Sequence, residues 1–91
     1  MQGAKRRPAL VLLDAGDEDV LVARVTSAPA VSEFDVRLQG WQNVGLLLPS
    51  TVRLHKLATL KKRLVTRTLG TLSAADREAI NRKLMHLWNL N

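Results

Sequence analysis

Short aliphatic runs organise the first third of this 91-residue chain. Residues 9–13 (ALVLL) lie between Pro8 and an acidic, glycine-containing segment at 14–19, and a second run follows at residues 20–26 (VLVARVT). Apolar runs of this length, bounded by turn-forming residues, are typical of buried strands, so the two runs predict a β-hairpin. Residues 34–38 (FDVRL) alternate apolar and charged side chains with a period of two, which predicts a half-buried antiparallel strand.

The middle of the chain predicts further strands. Residues 45–48 (GLLL) predict a buried strand that Pro49 ends, and residues 51–55 (TVRLH) alternate apolar and polar positions again. A turn rich in lysine and arginine is expected at 61–63, before a run with β-branched side chains at 64–69 (LVTRTL). The spacing of these segments favours an antiparallel sheet.

The last predicted element is a helix. Ser73 is a favourable N-cap, and Asp76, three residues later, is placed like the acid of a capping box. Ile80, Leu84 and Leu87 follow at helical spacing. The whole pattern predicts a mainly β fold, in which a compact, barrel-like antiparallel sheet is closed by one C-terminal α-helix.

Positive charge is concentrated in the middle of the chain. The sequence has 14 lysines and arginines against 8 aspartates and glutamates, a net charge of +6. Residues 36–75 contain no Asp or Glu, and their basic residues are Arg37, Arg53, Lys56, Lys61, Lys62, Arg63 and Arg67. Such segregation builds a surface of one sign, which favours a polyanion such as nucleic acid through counterion release. A solvated basic surface, or one that receives an acidic protein segment, explains the same pattern.

Length and residue types exclude several classes of protein. At 91 residues the chain is expected to form one small domain. The absence of cysteine excludes a disulfide framework, a thiolate zinc site and a cysteine nucleophile, and two isolated histidines, His55 and His86, are too few for a metal centre. No metal or cofactor is therefore expected. No apolar run approaches the ~18–20 residues of a membrane span, and no signal peptide or anchor is recognised, which favours the cytoplasm.

Five segments, in order, resemble one known family. Residues 5–12 (KRRPALVL) place an Arg-Pro pair directly before an aliphatic strand, and residues 22–27 (VARVTS) form a strand that ends in a Thr-Ser pair. Residues 45–54 (GLLLPSTVRL), 56–60 (KLATL) and 69–73 (LGTLS) follow. This order and spacing resemble the MazF/PemK family of toxins, in its PemK-like branch, over essentially the whole chain.

The resemblance implies a fold, an activity and partners. The family fold is a small SH3-like antiparallel barrel (MazF/PemK/CcdB-like) with a C-terminal helix, and residues 1–91 would form a single such domain. The implied activity is that of an endoribonuclease toxin (mRNA interferase) of a type II toxin–antitoxin system, which cleaves single-stranded RNA without metal. The implied partners are a cognate antitoxin with an acidic, flexible tail and a second copy of the chain in a homodimer. DNA would be contacted only through the antitoxin complex.

The resemblance also implies site residues. Arg7 and Thr26 stand at the family's catalytic positions. An arginine can hold two phosphate oxygens and stays charged, so Arg7 suits stabilisation of the transition state rather than proton removal, and Thr26 suits a hydrogen bond to phosphate. The RNA contacts expected beside them are Lys5, Arg6, Ser27, Ser50, Arg53 and Lys56. The structural alternatives are a solvated arginine ahead of a strand and a threonine hydroxyl that caps a turn.

Two departures from the family pattern favour an alternative function. The family's carboxylate positions are occupied here by Gln2 and by Pro49-Ser50, which leaves His55, His86 and hydroxyl groups as candidates for proton transfer. The family's usual first strand is absent, so the domain is expected to be N-terminally shortened, with an unpaired sheet edge. The alternative function is a catalytically weak or inactive barrel that binds nucleic acid or an acidic antitoxin peptide.

Overall fold

The computed structural model describes residues 7–89, which form a curled, four-stranded antiparallel sheet and one α-helix. The strands are β1 (Ala9–Leu13), β2 (Asp19–Thr26), β3 (Asp35–Arg37) and β4 (Thr51–Lys61), and the helix is α1 (Ala74–Trp88). The strand order is β1-β2-β4-β3, so β1 and β3 are the edges of the sheet within the described residues. The predicted mainly β fold with one C-terminal helix is confirmed.

The predicted hairpin of β1 and β2 forms, and aspartates hold its turn. The Asp14 carboxylate accepts the Gly16 N–H at 2.9 Å, and the Asp17 carboxylate accepts the Asp19 N–H at 2.9 Å. Short polar side chains stabilise turns by such local bonds to the backbone. The acidic segment read from the sequence is therefore the hairpin turn.

The pairing of β2 with β4 changes register half-way along the strands. Arg24 lies opposite Arg53, but the preceding residue, Ala23, lies opposite Leu57. The three residues of β4 between Arg53 and Leu57 are therefore extra to this ladder. An irregularity of this kind bends the strand and increases its twist, so the sheet curls at this point.

The core lies between α1 and one face of the sheet. Its buried cluster consists of Ala23, Val25, Val36, Leu38, Val52, Leu54 and Ile80. Ile80 is on α1 and is 3% exposed, and the partly buried Leu84 and Leu87 pack against the cluster. The helical spacing of these three residues thus predicted the buried side of α1 correctly. The opposite face of the sheet carries polar side chains at the end away from the hairpin turn, whereas the buried Val20 and Val22 of β2 lie on that face nearer the turn.

α1 begins where the sequence predicts. The Ser73 hydroxyl accepts the Asp76 N–H at 3.1 Å, as an N-cap does. The capping-box interpretation of the Asp76 carboxylate is wrong, however, because this carboxylate accepts the N–H groups of Gln39 at 2.8 Å and Gly40 at 2.9 Å. Asp76 therefore ties α1 to the turn that follows β3, instead of closing the first turn of its own helix.

The predicted strand at residues 45–48 does not form. A 3-10 helix occupies Trp41–Val44 and ends at Gly45, whose φ of 81° is left-handed. Of the leucines that follow, Leu46 packs against the core, whereas Leu47 is 91% exposed. A strand in the buried part of a sheet would have covered more than one of these side chains.

The predicted strand at residues 64–69 is also wrong. β4 continues to Lys61, and a 3-10 helix at Lys62–Leu64 takes the place of the expected basic turn. Residues 65–73 then reach α1 without regular secondary structure. The β-branched residues of this segment find no neighbouring strand to pair with in the described part of the chain, which is why their propensity does not produce one.

Candidate functional site

The sheet face opposite α1, called the polar face below, carries polar side chains in two rows that cross the strands. Opposed residues of an antiparallel pair place their side chains on one face, and residues two apart on a strand share that face. The first row consists of Thr26 on β2, Thr51 on β4 and Arg37 on β3. The second row, two residues further along each strand, consists of Arg24, Arg53 and Asp35.

Arg7 joins the first row at the edge of the sheet. β1 pairs with β2 in regular register from Ala9, and beyond that residue the Val25 N–H donates to the Pro8 carbonyl at 3.4 Å. The pairing therefore continues to Pro8, and extending the same register by one residue sets Arg7 opposite Thr26. The side chain of Arg7 is exposed. The two residues at the predicted catalytic positions are neighbours across the sheet.

Within residues 7–89 the Thr26 hydroxyl forms one hydrogen bond. Its oxygen accepts the Ala28 N–H at 3.1 Å, so it caps the turn after β2. A hydroxyl has one donor and two acceptor lone pairs. The O–H of Thr26 is therefore still able to donate to a phosphate oxygen, and the structural role does not exclude the functional one.

The second row is organised by Asp35, which is buried. Its Oδ2 accepts the N–H groups of Val31 at 2.9 Å and Ser32 at 3.2 Å. Its Oδ1 lies 3.9 Å from the Nε of Arg53, and within residues 7–89 both atoms are buried without a hydrogen-bond partner. The Arg53 side chain is 21% exposed. The guanidinium is thus held on the polar face with part of its surface in solvent.

The remaining predicted RNA contacts lie in different places. Lys5 and Arg6 fall outside the described residues. Ser27 is exposed in the turn directly after β2, and Lys56 is exposed on β4, in the segment that interrupts the ladder. Ser27 therefore directly follows Thr26 of the first row, and Lys56 lies three residues after Arg53 of the second row along β4.

Ser50 is placed inside the fold. It is 6% exposed, and its hydroxyl donates to the Leu48 carbonyl at 2.7 Å. Its own carbonyl accepts the Leu38 N–H at 2.9 Å. These contacts fix the chain directly before β4. Of the predicted RNA contacts on β4 itself, Arg53 is the one that belongs to a row of the polar face.

The two histidines lie outside both rows. His55 is exposed on β4, and its ring packs at a tilt against Phe34 with the ring centroids 5.2 Å apart. His86 is exposed in the last turn of α1, on the other side of the sheet. Asp35 is the one carboxylate in the rows as defined, and its Oδ2 is engaged by the preceding loop. Neither row therefore offers an evident general base.

Two lysines of the basic stretch are neutralised at the far end of the sheet. Lys61 Nζ lies 3.0 Å from Glu18 Oε1 and 3.2 Å from Asp19 Oδ1, and Lys62 Nζ lies 2.7 Å from Asp14 Oδ1. The hydrogen bond from Lys62 lowers the pKa of the Asp14 carboxyl, and the hydrogen bond to Glu18 raises the pKa of the Lys61 ammonium. Folding therefore divides the basic stretch, leaving the arginines of the polar face without these acids nearby.

Within residues 7–89, no group of three or more His, Asp or Glu side chains is placed to hold a metal ion. No helix within these residues is long and apolar enough to cross a bilayer.

The family of the chain is decided by a match over nearly its whole length. Residues 2–88 match the PemK-like, MazF-like toxins of type II toxin–antitoxin systems. The chain belongs to this family. The resemblance of the five sequence segments to PemK-like toxins is thereby confirmed.

Several solved structures similar to this PemK-like chain come from mycobacteria. The Mycobacterium tuberculosis toxin MazF-mt6 has a TM-score of 0.77 at 24% identity, over 93% of this chain and 88% of that one. A crystal structure of an Mtb toxin has a TM-score of 0.74 at 25% identity, over 88% and 90%. A mycobacterial endoribonuclease in complex with its cognate antitoxin has a TM-score of 0.76 at 22% identity, over 98% and 86%. No curated protein matches the sequence.

Two arginines of the polar face in this PemK-like chain were not among the predicted contacts. They are Arg24 and Arg37, and each has a polar neighbour two residues away on its strand, Thr26 and Asp35 respectively. β4 carries such a pair as well, Thr51 and Arg53. A polar pair at this spacing in a mostly apolar strand places both side chains on one face, so these pairs were a signal in the sequence.

Proposed function

We propose that this PemK-like protein is the endoribonuclease toxin of a type II toxin–antitoxin system and that it cleaves single-stranded RNA without a metal ion. Membership of the toxin family supports the toxin assignment, and the similarity in fold to a mycobacterial endoribonuclease supports RNA cleavage. Cleavage of single-stranded RNA without a metal ion is what the family resemblance implies. The observation that carries the proposal is the position of Arg7 opposite Thr26 on a face with three more arginines. A phosphate bound there meets a guanidinium, a hydroxyl group and a positive surface.

The proposed reaction uses the ribose of the RNA as nucleophile. The 2′-hydroxyl loses its proton, the 2′-oxygen attacks the adjacent phosphorus, and the bond to the 5′-oxygen breaks as that oxygen gains a proton. The products carry a 2′,3′-cyclic phosphate and a 5′-hydroxyl. Arg7 stabilises the charge that develops on the phosphoryl oxygens, and the Thr26 O–H donates to one of them. Neither group is a base at neutral pH, so both act on the transition state and not in proton transfer.

The same positive face suits the proposed partners. An acidic, flexible tail of a cognate antitoxin would occupy the polar face by charge complementarity and so exclude RNA. A mycobacterial endoribonuclease of similar fold has been solved in complex with its cognate antitoxin. The proposal includes a homodimer of one-domain chains working in the cytoplasm, with DNA contacted only through the antitoxin complex.

One observation favours a second function. The rows of the polar face hold a single carboxylate, Asp35, and no histidine, while His55 packs on Phe34. A barrel with binding groups but without a general base binds RNA or an acidic antitoxin peptide and cleaves weakly or not at all. This second function shares the surface of the first and differs only in chemistry.

The experiment that separates the two functions is cleavage of a long single-stranded RNA in EDTA, with the new ends mapped. Arg7→Ala is compared with Arg82→Ala, which removes an exposed arginine of α1 on the far side of the sheet. We expect discrete cuts with 2′,3′-cyclic phosphate and 5′-hydroxyl ends. Loss of one transition-state donor is expected to lower the cleavage rate by about 10²–10³-fold in Arg7→Ala, and Arg82→Ala should cleave like the parent.

Two results would contradict the proposal. Intact RNA after incubation with the folded parent protein would leave the binding barrel as the function. Cleavage by the parent that Arg7→Ala does not slow would show that the reaction takes place elsewhere on the protein.

A further inference from the structure

The second row of the polar face holds two arginines side by side. Arg24 and Arg53 are direct partners across β2 and β4. Opposed side chains in a sheet have Cβ atoms about 4.5–5.5 Å apart, and like charges at that distance destabilise the pair. An arrangement that costs stability in the free protein is explained when an anion binds between the two charges.

The protein supplies part of the missing negative charge through Asp35. This residue lies opposite Arg53 on the other side of β4 and approaches it from the Nε side, with Oδ1 at 3.9 Å from Nε and no hydrogen bond formed by either atom. Arg24 is exposed and takes part in none of the four ion pairs found among residues 7–89. The buried Asp35 carboxylate, already accepting two backbone N–H groups, thus approaches the Arg53 guanidinium, while the Arg24 guanidinium has no acidic partner among these ion pairs.

The position of this pair relative to Arg7 and Thr26 indicates the ligand. The two rows are separated by two residues along the strands, which is about 7 Å at about 3.3 Å per residue. This is the scale on which successive phosphates follow one another in an extended single strand. A polyanion lying along β2 would therefore place one phosphate at each row.

We propose that Arg24 and Arg53 bind one backbone phosphate of the RNA, next to the phosphate held by Arg7 and Thr26. The proposal rests on the proposed function, since it assigns a neighbouring subsite on the same face. The bound phosphate supplies the countercharge that Asp35 provides only in part, while Asp35 keeps the Arg53 guanidinium on the polar face. Phosphate contacts position the nucleic acid without reading its bases, so this subsite adds affinity for any sequence.

The test is the salt dependence of binding to a probe that cannot be cut. A short, fully 2′-O-methylated RNA lacks the nucleophilic hydroxyl, and its affinity for Arg24→Gln, Arg53→Gln and the double variant is measured by fluorescence anisotropy at several salt concentrations. Each phosphate neutralised on a single strand contributes about 0.7 to the slope of log K against log salt. We expect the double variant to lose about 0.7 of the slope, the equivalent of one phosphate, and each single variant to lose a measurable part of that amount.

Controls keep this result specific to the subsite. Arg82→Gln removes an exposed arginine from α1, on the opposite face, and should keep the parent slope. Arg24→Lys should keep most of the slope, because a lysine still neutralises a phosphate. Circular dichroism and melting temperature report folding; if Arg53→Gln does not fold, the exposed Arg24 variants carry the test alone.

Four outcomes would overturn the subsite. The first is that the parent does not bind the probe, and the second is that the salt slope of Arg24→Gln equals that of the parent. The third is that the double variant loses about 1.4 of the slope, which would mean that the two arginines bind two separate phosphates. The fourth is weaker binding of a polyglutamate peptide to the variants with unchanged RNA slopes, which would assign the pair to an acidic protein segment. Cleavage of unmodified RNA is scored separately: a parent that binds as expected without cutting contradicts the ribonuclease proposal and leaves the subsite standing.

Discussion

At the scale of single residues, the Asp76 carboxylate could bond within its own helix or to a distant part of the chain, and the sequence does not decide between these two roles. Its place three residues after Ser73 predicts a bond within the helix terminus. In the fold its backbone N–H donates to the Ser73 hydroxyl. Its carboxylate instead accepts the N–H groups of Gln39 and Gly40, which lie 37 and 36 residues away in sequence. Tertiary structure decided between the two, because the buried carboxylate is the acceptor for the N–H groups of Gln39 and Gly40 in these part-buried hydrogen bonds.

The first prediction concerns the stability that this carboxylate supplies. Asp76→Ala removes the acceptor of two part-buried backbone N–H groups. At a cost of about 1–2 kcal/mol each, we expect a loss of roughly 2–4 kcal/mol in the free energy of unfolding. Asp76→Asn should lose a large part of this, because its amide nitrogen cannot accept a hydrogen bond. Chemical denaturation of both variants is the measurement. Glu78→Ala, an exposed change on the same helix, is the control and should stay within about 0.5 kcal/mol of the parent.

At the scale of elements, the structure of the run GLLL at residues 45–48 could not be predicted from its sequence pattern. A short apolar run is typical of a buried strand, but its pattern carries no information about whether a neighbouring strand is present. In the fold, Gly45 turns the chain out of a 3-10 helix, Leu46 reaches the core and Leu47 remains exposed. The glycine, and not the three leucines, determines the path of this segment.

The second prediction tests that glycine. Gly45 has a φ of 81°, and a Cβ built there meets its nearest neighbour, the Leu69 carbonyl oxygen, at an ordinary 3.4 Å, so the obstacle to a side chain is the backbone conformation. Gly45→Ala should therefore destabilise the fold by about 1–2 kcal/mol. Gly45→Asn should cost less, because asparagine adopts left-handed backbone more readily. Denaturation midpoints measure both, and an alanine variant as stable as the parent would show that the 3-10 helix can end without this conformation.

The two rows of the polar face could be predicted in part from the sequence. Polar pairs at a spacing of two, such as Arg24 with Thr26, predict which side chains share a face of one strand. The pairing of β2 with β4, which brings Arg24 beside Arg53, could not be predicted from the sequence. β3 lies between these two strands in sequence but forms the outer strand of the sheet. Arg7 and Thr26 were selected by the family resemblance, because their hydrogen-bonding chemistry alone favoured a structural role for both.

At the scale of the whole molecule, charge is distributed between the two ends of the sheet. Arginines remain on the polar face at one end, whereas at the other end the hairpin turn brings Asp14, Glu18 and Asp19 to Lys61 and Lys62. An exposed ion pair contributes little to stability and is weakened by salt. Its larger consequence is electrostatic: a polyanion is attracted to the end where cations are not already paired.

The last prediction is the pH dependence of the pair between Asp14 and Lys62. Folding lowers the pKa of the Asp14 carboxyl below its ordinary value of 3.8, chiefly through the hydrogen bond from Lys62. A carboxyl with a lowered pKa in the folded state stabilises that state above its unfolded pKa and loses this contribution as pH falls through the folded value. Asp14→Asn should therefore melt slightly below the parent near neutral pH, and the difference should shrink as pH falls below 3.8.

Melting temperatures of the parent and of Asp14→Asn, measured at low salt from about pH 6 to about pH 2, test this expectation. Asp17→Asn is the matched control, because Asp17 lies in the same turn, forms none of the ion pairs among residues 7–89, and accepts a backbone N–H that asparagine also accepts. The control should show no such pH-dependent difference. A difference for Asp14→Asn that persists to the lowest pH, or that equals the control at every pH, would mean that charge on Asp14 does not stabilise the hairpin end. Added salt should reduce the difference near neutral pH, because the pair is exposed.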